Sequence, residues 1–462
     1  MIPDGRFFDL PDRDQFQMSY FSLRQAIADD PELLAFDAAV DQLDFAELDA
    51  AYGRVGHPAF PPRVLFKVWV YGCCLGLRSS RQLDRACRRD DAFQFLAHGL
   101  TPDFRTLCRF RRRHQAHFAG LFEQTVTLCQ AAGLVSLAHV AIDGTKLRAN
   151  RSKAGLAQAQ AEFRQALAEA EVADGDLPEE SEAEPTAVLP EVAEEARFMK
   201  SGAEVVPAYN AQLAVDADHQ IIVAQQVRTE PADQGLLGPL AQQVQDNCGQ
   251  TPQAVSADGG YLTEADVAQL DESGTQLHLP RRASGAADLE WVEAEGAYRC
   301  PAGQWLRPCR VRAGKQIYRT NRCRGCPQAA ECGITGKTKE VHVPRADTAR
   351  GRLERRMASE AGQAVYAARK QIVEPVFGRF KHNWNWRRFL LRGRSGAQAE
   401  WSLGCASHNL RKLIQAGAPA GDRSTAGPGR TPQRPQPQLV FRVTWWPIRM
   451  SYYGHPRYVA AT

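Results

Sequence analysis

The sequence predicts an α/β protein that begins with an all-helical region. In residues 1–135, apolar side chains recur every three to four positions, which is the spacing of helices that pack on one side. From residue 138 the period changes, and short apolar or alternating segments predict strands separated by helical patterns. Helices packed against a layer of strands are the usual result of this order.

Size and composition are those of a globular protein. A chain of 462 residues that is 44% hydrophobic predicts two or three domains with a sizeable core. The longest apolar run, VLFKVWVYGCCLGL, is too short to cross a membrane, and the N-terminus has no signal-peptide pattern. We therefore expect a cytoplasmic protein without a membrane partner, whose 12 cysteines are reduced or bind metal.

The charge distribution favours a polyanionic partner. The net charge is +4, yet residues 154–196 hold twelve acids and one base. The rest of the chain therefore carries about +15, which makes nucleic acid a candidate ligand. A basic surface that is merely solvated is the alternative.

Capping patterns mark the helices of the N-terminal region. Pro61-Pro62 is suited to a helix start, Ser79 and Gln82 match a capping box, and Thr101-Pro102 predicts the start of a later helix. The basic face of that later helix includes Arg109, Arg112 and Arg113. Such a helix is suited either to DNA binding or to an ordinary surface on which arginine stems cover apolar atoms.

The strand region has a simple predicted order. AHVAID (138–143) is an apolar run that ends in an acid, and the next two strand patterns predict a hairpin across Asp216-Ala217-Asp218. A helix closed by Gly249 follows, and then AVSAD (254–258). Between the first strand and the hairpin, residues 154–200 read as an acidic helical insertion, in which EVAEEARFMK is a returning helix.

A cysteine-containing segment spans residues 290–340. Its candidate metal ligands are Cys300, Cys323, Cys326 and Cys332. Four thiolates can hold a tetrahedral Zn²⁺, whereas free buried thiols are the alternative. Residues 416–462 form a Pro-, Gly- and Arg-rich linker and a tail to which the sequence assigns no role.

Three acids stand out in different contexts. Asp143 and Asp258 each end a predicted strand, and Glu374 precedes Pro375, which predicts a helix break at that point. Two strand acids and one helix acid are suited to divalent cations, which bind oxygen ligands. Taken singly, each has a plainer explanation, since the aspartates precede glycines as turn residues do and Glu374 can cap a helix.

Together these segments resemble bacterial insertion-sequence DDE transposases. VAIDGTKLRAN, SADGGYLTEADV and the series Tyr366, Arg369, Glu374 and Lys381 are similar to the three catalytic blocks of that family. The helical segment around GHPAFPPRVLFKVWVYG is similar to the N-terminal domain of one branch, and GCASHNLRKL to its closing helix. The resemblance extends over about residues 15–415.

The resemblance implies an RNase H-like catalytic domain in which Asp143, Asp258 and Glu374 bind Mg²⁺ or Mn²⁺, as two ions. It also implies that transposon-end DNA lies near a set of basic and aromatic side chains. These are Tyr366, Arg369, Lys370, Lys381, Arg387 and Arg388. Many family members have three residues between the Arg and the Glu; Arg369 leaves four and Lys370 leaves three, so either can fill this role. Trp384 and Trp386 are available to stack on bases or to pack in the core.

The predicted organisation therefore has three parts. They are a helical DNA-binding domain (1–135), an RNase H-like catalytic domain (136–415) with both insertions, and the tail. The function implied is a transposase, associated with the nucleoid, that binds terminal inverted repeats, cleaves with metal ions and transfers strands. Its partners are double-stranded DNA, at transposon ends and target, and a second copy of the chain. The alternative is a non-catalytic DNA-binding protein, either a regulator or a decayed transposase.

Overall fold

The computed structural model describes residues 19–20, 22–53, 59–152, 154–155, 157–158, 196–201, 204–280, 289–417 and 441–442, apart from positions 313, 330, 331, 333–335 and 346. The N-terminal region is helical, as predicted. Its helices are α1 (Leu23–Ala26), α2 (Pro31–Asp41), α3 (Ala46–Ala50), α4 (Pro62–Cys74), α5 (Ser80–Arg89), α6 (Asp91–Leu96), α7 (Phe104–Arg113) and α8 (Phe118–Ala131). Along the described part of the chain, no helix combines the length and the apolar character needed to cross a membrane.

Local signals set most of these helix boundaries. Helix α4 begins at Pro62, and Ser79 forms the predicted capping box with Gln82 at the start of α5. The predicted start of α7 at Thr101-Pro102 is wrong. The helix begins later, at Phe104, because the Asp103 carboxylate accepts a hydrogen bond from the Thr106 N–H and is the N-cap.

A six-stranded sheet carries the acidic residues. Its strands are β1 (His139–Arg148), β2 (Arg197–Ser201), β3 (Glu204–Asp216), β4 (Ile222–Arg228), β5 (Ala254–Ser256) and β6 (Gln276–His278). The order is β4-β3-β1-β5-β6, with β2 pairing along another part of β3. Strand β1 is antiparallel to β3. Strand β5 is parallel to β1, and β6 is parallel to β5. This mixed order is consistent with the predicted RNase H-like fold.

Five helices complete this domain. They are α9 (Leu237–Cys248), α10 (Glu264–Glu272), α11 (Ala349–Ala358), α12 (Glu360–Gly378) and α13 (Gly393–Gln415). Helix α9 ends at Gly249, whose φ of 71° lies in the left-handed region that favours glycine. Helix α12 packs on β1, β3, β5 and β6, while α13 packs on β4 and on the N-terminal helices α8, α4 and α2. One continuous apolar core therefore joins the helical region to the sheet.

Helix α12 does not break at Pro375, so that prediction is wrong. The helix runs through Pro375 to Gly378, and a single π-helical turn follows at Arg379–Asn383. Proline lacks the N–H that would donate to the Gln371 carbonyl. The side-chain amide of Gln220 donates to this carbonyl instead, at 3.1 Å, so the helix continues without an unsatisfied acceptor.

A second, antiparallel sheet is formed by the cysteine-containing segment. Its strands are β7 (Glu290–Val292), β8 (Ala297–Arg299), β9 (Trp305–Arg312), β10 (Lys315–Thr320) and β11 (Lys339–Pro344), paired in the order β11-β10-β9-β8-β7. It leads directly into α11, which packs against β11.

The acidic insertion ends differently from the prediction. Residues Arg197–Ser201 are strand β2 rather than part of a returning helix, because β3 offers an edge with which they pair from Arg197↔Ala208 to Ser201↔Glu204. Most of the rest of the predicted helical insertion lies outside the described residues. The same is true of the tail beyond residue 417, except for Phe441–Arg442, which pairs with Ser19–Tyr20.

Candidate functional site

Asp143 lies inside β1, which continues to Arg148 rather than ending at the acid as predicted. One of its carboxylate oxygens accepts from the Gly144 N–H at 2.8 Å, and the other accepts from Arg369 Nη1 at 2.7 Å. Burial raises the pKa of Asp143, the nearby charge of Asp258 adds to this, and Arg369 opposes it. Asp143 is thus a half-buried carboxylate whose negative charge is stabilised by one guanidinium group.

Asp258 lies beside Asp143 because of the register of two parallel strands. Ala141 on β1 pairs with Ser256 on β5, and each aspartate is two residues further along its chain. Residues two apart in a strand share a face, so both carboxylates are expected at one level on the same side of the sheet. Asp258 Oδ1 accepts from the Gly260 N–H, and a Cβ atom on Gly260 would lie only 2.8 Å from that oxygen. A side chain at position 260 would therefore displace the Asp258 carboxylate.

Glu374 lies on a different side of α12 from the residue that reaches the aspartates. Arg369 is 8% exposed and contacts Asp143, whereas Glu374 is exposed. Five residues at 100° each place the two about 140° apart around the helix. Within the described ranges, no three side chains of His, Cys, Asp or Glu are grouped as metal ligands. The structure therefore brings together Asp143 and Asp258, and the three-carboxylate centre stays a prediction.

Lys381 is the second cation near the aspartates. It is half-buried in the π-helical turn, and burial lowers its pKa while the charge of Asp143 opposes that shift. Tyr366, also half-buried, has the Arg369 guanidinium 5.8 Å from the centre of its ring. Lys370 is exposed. Arg369 thus contacts Asp143, and Lys370 is the residue of the pair that is accessible to DNA.

The predicted basic residues after α12 lie beside the end of β1. Arg387 and Arg388 are exposed, and Arg388 Nη2 donates to Asn150 Oδ1 at 2.9 Å. The two tryptophans between Lys381 and Arg387 are only 2% and 1% exposed. Trp384 and Trp386 pack around Phe380, so core packing, rather than base stacking, is their role in this structure.

The predicted basic helix of the N-terminal region is α7. Leu107 and Phe110 face the core, and the basic side chains Arg109, Arg112 and Arg113 are exposed. Arg113 donates to the Ala51 carbonyl and lies 4.8 Å from the Tyr52 ring centre. Arg109 and Arg112 are therefore more accessible to a ligand than Arg113.

A polar network next to the aspartates was not predicted. Asp233 accepts hydrogen bonds from Lys146 at 2.9 Å, from Asn210 at 2.7 Å and from Gln212 at 2.9 Å. Gln212 in turn accepts from the Tyr261 hydroxyl. Burial raises the pKa of Tyr261, and the charges of Asp233, Asp143 and Asp258 raise it further. The polar residues Asn210 and Gln212, at alternate positions of an apolar strand, are the sequence feature that could have indicated this network. Their acidic partner, Asp233, lies beyond the next strand, in a segment without a matching pattern.

The four candidate zinc ligands lie at one end of the second sheet. Cys300 lies in the β8–β9 connection, and Cys323, Cys326 and Cys332 lie in the β10–β11 connection. The Gln304 N–H donates to Cys300 Sγ at 3.3 Å. Burial raises the pKa of Cys323, and Cys300, Cys326 and Cys332 are close enough to raise it further. The thiols are neighbours, but they are not in metal-ligand geometry within the described ranges.

Comparison with known families identifies the chain. Residues 21–113 match the family model described as Transposase domain (DUF772), and residues 299–414 match the model described as Transposase DDE domain. The chain therefore combines a DUF772 transposase domain with a transposase DDE domain. The DUF772 match covers α1 to α7, and the DDE match includes Glu374, Arg369 and Lys381, whereas Asp143 and Asp258 lie between the two matched segments.

Other comparisons add little to this identification. No curated protein matches this transposase. One similar solved structure is the crystal structure of a pre-cleavage Mos1 transpososome, at 10% sequence identity, with 74% of this chain and 84% of that chain covered. Its TM-score is 0.17, so it supports no conclusion here.

Proposed function

We propose that this transposase binds the terminal inverted repeats of its own element, cleaves a phosphodiester bond at each end, and joins the freed 3′ hydroxyl to target DNA. The observation that carries the proposal is the pairing of Asp143 and Asp258 on adjacent parallel strands, within a chain of the DDE family. Two carboxylates on one face of a sheet can hold a divalent cation that also binds substrate phosphate.

The aspartate pair suits one Mg²⁺, because hard oxygen ligands are what this ion requires and each carboxylate is held in place by neighbouring donors. A bound Mg²⁺ would activate the attacking water and stabilise charge at the leaving oxygen. Glu374 is proposed as the third ligand, for a second ion. In this structure Glu374 is exposed and is not grouped with the two aspartates among the described residues.

The cations around Asp143 have separate proposed tasks. Arg369 stabilises the charge of Asp143 and fixes the direction of its carboxylate through the 2.7 Å contact. Lys381, half-buried and in the field of Asp143, is positioned to neutralise a phosphate that enters the site. The exposed Arg387 and Arg388, beside the end of β1, would bind phosphates further along the same DNA.

The N-terminal helices would supply the second DNA contact, through Arg109 and Arg112 of α7. Cutting both ends of an element in one complex requires two active sites. We therefore propose that two copies of the chain act together on DNA.

The test is cleavage of labelled duplexes made from the DNA that flanks the coding sequence, with Mg²⁺. Asp143→Asn, Asp258→Asn and Glu374→Gln should each lower the cleavage rate by a factor of about 10² or more while duplex binding remains. Asp246→Asn, an exposed acid on α9, is the matched control and should cut normally. Addition of an unlabelled plasmid distinguishes strand transfer from simple cutting.

Two results would reject the enzyme. Binding without cutting by the wild type would favour the non-catalytic DNA-binding protein. Unchanged cutting by both aspartate variants would place the chemistry elsewhere. If the aspartate variants lose cleavage but Glu374→Gln cuts normally, Glu374 is not a metal ligand and stays exposed in the active protein.

A further inference from the structure

The second sheet has one face that is unusually basic. In antiparallel strands, residues directly opposite each other lie on the same face. The register pairs Arg307 with Arg319, Arg310 with Ile317, and Arg312 with Lys315. On the next strand Arg299 pairs with Trp305, which is two residues before Arg307 and so shares its face. The basic face is thus made of Arg299, Arg307, Arg310, Arg312, Lys315 and Arg319.

The opposite face of this sheet is used for packing. Tyr298 and Tyr318 meet edge to face, with ring centres 5.1 Å apart, and with Gln316 and Val343 they line a cleft against α11. The tyrosines alternate with the basic residues along their strands, which confirms that the two sets point to opposite sides. The packed face holds the sheet on the rest of the domain, and the basic face is left for solvent or a ligand.

Five of the six basic side chains are exposed, and Arg319 is half-buried. The exposed fractions are 64% for Arg307, 53% for Arg310 and 51% for Arg299. Arg312 and Lys315 are also exposed, at the turn between β9 and β10. Ile317 shares this face but is fully buried, as expected where long arginine stems cover an apolar residue.

Few acids offset this charge. Glu290 lies 3.3 Å from Arg299, Glu295 lies 3.4 Å from Arg307, and Glu340 pairs with Arg310 and Arg319. Six cations against three carboxylates leave an excess of three positive charges. Within the described residues, Arg312 and Lys315 have no acidic partner. Ion pairs this exposed are each worth only about 0–1 kcal/mol, so phosphates can replace the carboxylates.

The dimensions fit the backbone of duplex DNA. The six residues from Arg307 to Arg312 extend about 16 Å along the strand, and neighbouring strands are about 4.8 Å apart. Each DNA strand carries one phosphate for every ~3.4 Å of helix axis, so the face spans several of them. Guanidinium groups also match phosphate oxygens in geometry.

We propose that this basic face binds the sugar-phosphate backbone of double-stranded DNA, independently of its sequence, as a contact separate from the catalytic aspartates and from α7. The proposal rests on the DNA-binding function proposed above and extends it to the segment of residues 290–344. The face would stabilise whichever duplex passes beside it, either the DNA next to the cleavage site or the target.

The test compares the salt dependence of duplex binding by the full-length protein. The variant is Arg310→Gln/Arg312→Gln/Lys315→Gln. Each lost phosphate contact reduces the slope of log K against log salt by roughly 0.9, so the slope of this variant should be shallower than that of the wild type by about 2.7. Its affinity at 0.1 M salt should fall tenfold or more. Arg310→Lys/Arg312→Lys keeps the charges and should bind like the wild type.

Two duplexes distinguish binding to the DNA backbone from recognition of bases. One duplex carries the flanking sequence of the element, and the other has an unrelated sequence of equal length. Equal loss on both supports the proposal, whereas loss only on the element sequence would show base recognition and overturn it.

Failure of this inference is distinguishable from failure of the proposed function. If the wild type binds no duplex, the proposed function fails. If the wild type binds and cuts DNA, and the triple variant shows the same affinity and salt slope with an unchanged circular dichroism spectrum, the basic face alone is rejected. A triple variant that unfolds is replaced by Arg312→Gln/Lys315→Gln, at the strand turn, with an expected slope change of about 1.8.

Discussion

The guanidinium group of Arg78 donates to the carboxylate of Glu400 at 2.9 Å, with only 7% and 2% of the two side chains exposed. Arg78 follows α4 of the N-terminal region and Glu400 lies on α13, so this buried ion pair joins the two parts of the transposase. Arg78 also donates to the carbonyls of Asn385 and Arg388. The segment that carries Arg387 and Arg388 is therefore held by a residue of the helical region.

Removal of one member of this pair should destabilise the protein strongly. Arg78→Met leaves Arg111, 3.7 Å away, as the cation that faces the buried Glu400 among the described residues, and should lower the free energy of unfolding by about 3 kcal/mol. Urea unfolding measures this. Hydrogen exchange should also speed up at Leu390 and Leu391, whose N–H groups donate to Glu400.

The matched control is an exposed pair. Arg88 and Asp84 form an ion pair within α5, and Arg88 is 52% exposed. Arg88→Met should cost less than about 1 kcal/mol and should leave exchange at Leu390 unchanged. Equal costs for the two arginines would contradict the role of Arg78 as a link between domains.

The contact of Gln220 with α12 gives a second prediction. Gln220→Ala removes the donor to the Gln371 carbonyl and should cost about 1 kcal/mol in unfolding free energy. Pro375→Ala supplies the missing backbone N–H, so Gln220→Ala should cost less in that background. The double-mutant cycle measures the difference as a coupling energy. A cost that is the same with proline and with alanine would show that Gln220 does not compensate for the proline.

This contact also shows what the sequence could and could not predict. Local signals correctly predicted the helix starts at Pro62 and Ser80, the end of α9 at Gly249 and the hairpin after Asp216, because each depends on neighbours within a few residues. The break at Pro375 was wrong because its compensating donor, Gln220, is 151 positions away.

The same distinction holds for strand β2 and for the site. The local pattern of residues 191–200 favours a helix, but pairing with the edge of β3 overrides it for Arg197–Ser201. Asp143 and Asp258 could be predicted as neighbours because each follows an apolar strand pattern, although β1 continues past Asp143 and the parallel register of β1 and β5 is what aligns the two residues. The contact of Asp143 with Arg369 and that of Asp233 with Lys146 join side chains 226 and 87 positions apart, for which the sequence carries no pattern.

The four cysteines at one end of the second sheet predict bound zinc. If Cys300, Cys323, Cys326 and Cys332 close around one ion, purified protein should contain about one zinc per chain. Cys323→Ser and Cys326→Ser should lose it and unfold at a lower temperature. Elemental analysis measures the metal, and a thermal scan with and without a chelator measures its effect on stability.

Cys309 provides the control for this experiment. It is exposed on β9 of the same sheet, away from the end where the four cysteines lie, so Cys309→Ser should keep the zinc. Zinc-free wild-type protein, even after incubation with zinc and a reductant, would instead identify the four residues as free thiols.

His408 should make the protein sensitive to acid. Its ring is fully buried on α13, and its Nε2 lies 2.8 Å from the Gln220 carbonyl. Burial, and then the charge of Arg379, lower its pKa from 6.5 to about 3. Because the unfolded chain binds this proton more readily, the stabilising effect of neutral His408 is complete above about pH 6.5 and is lost as pH falls towards 3. Between pH 7 and 5 this amounts to about 2 kcal/mol.

His408→Gln keeps a donor for the carbonyl but does not titrate. Urea unfolding of this variant should therefore show a decrease in unfolding free energy from pH 7 to 5 that is smaller than that of the wild type by about this amount. An equally steep drop in the variant would assign the acid sensitivity to other groups.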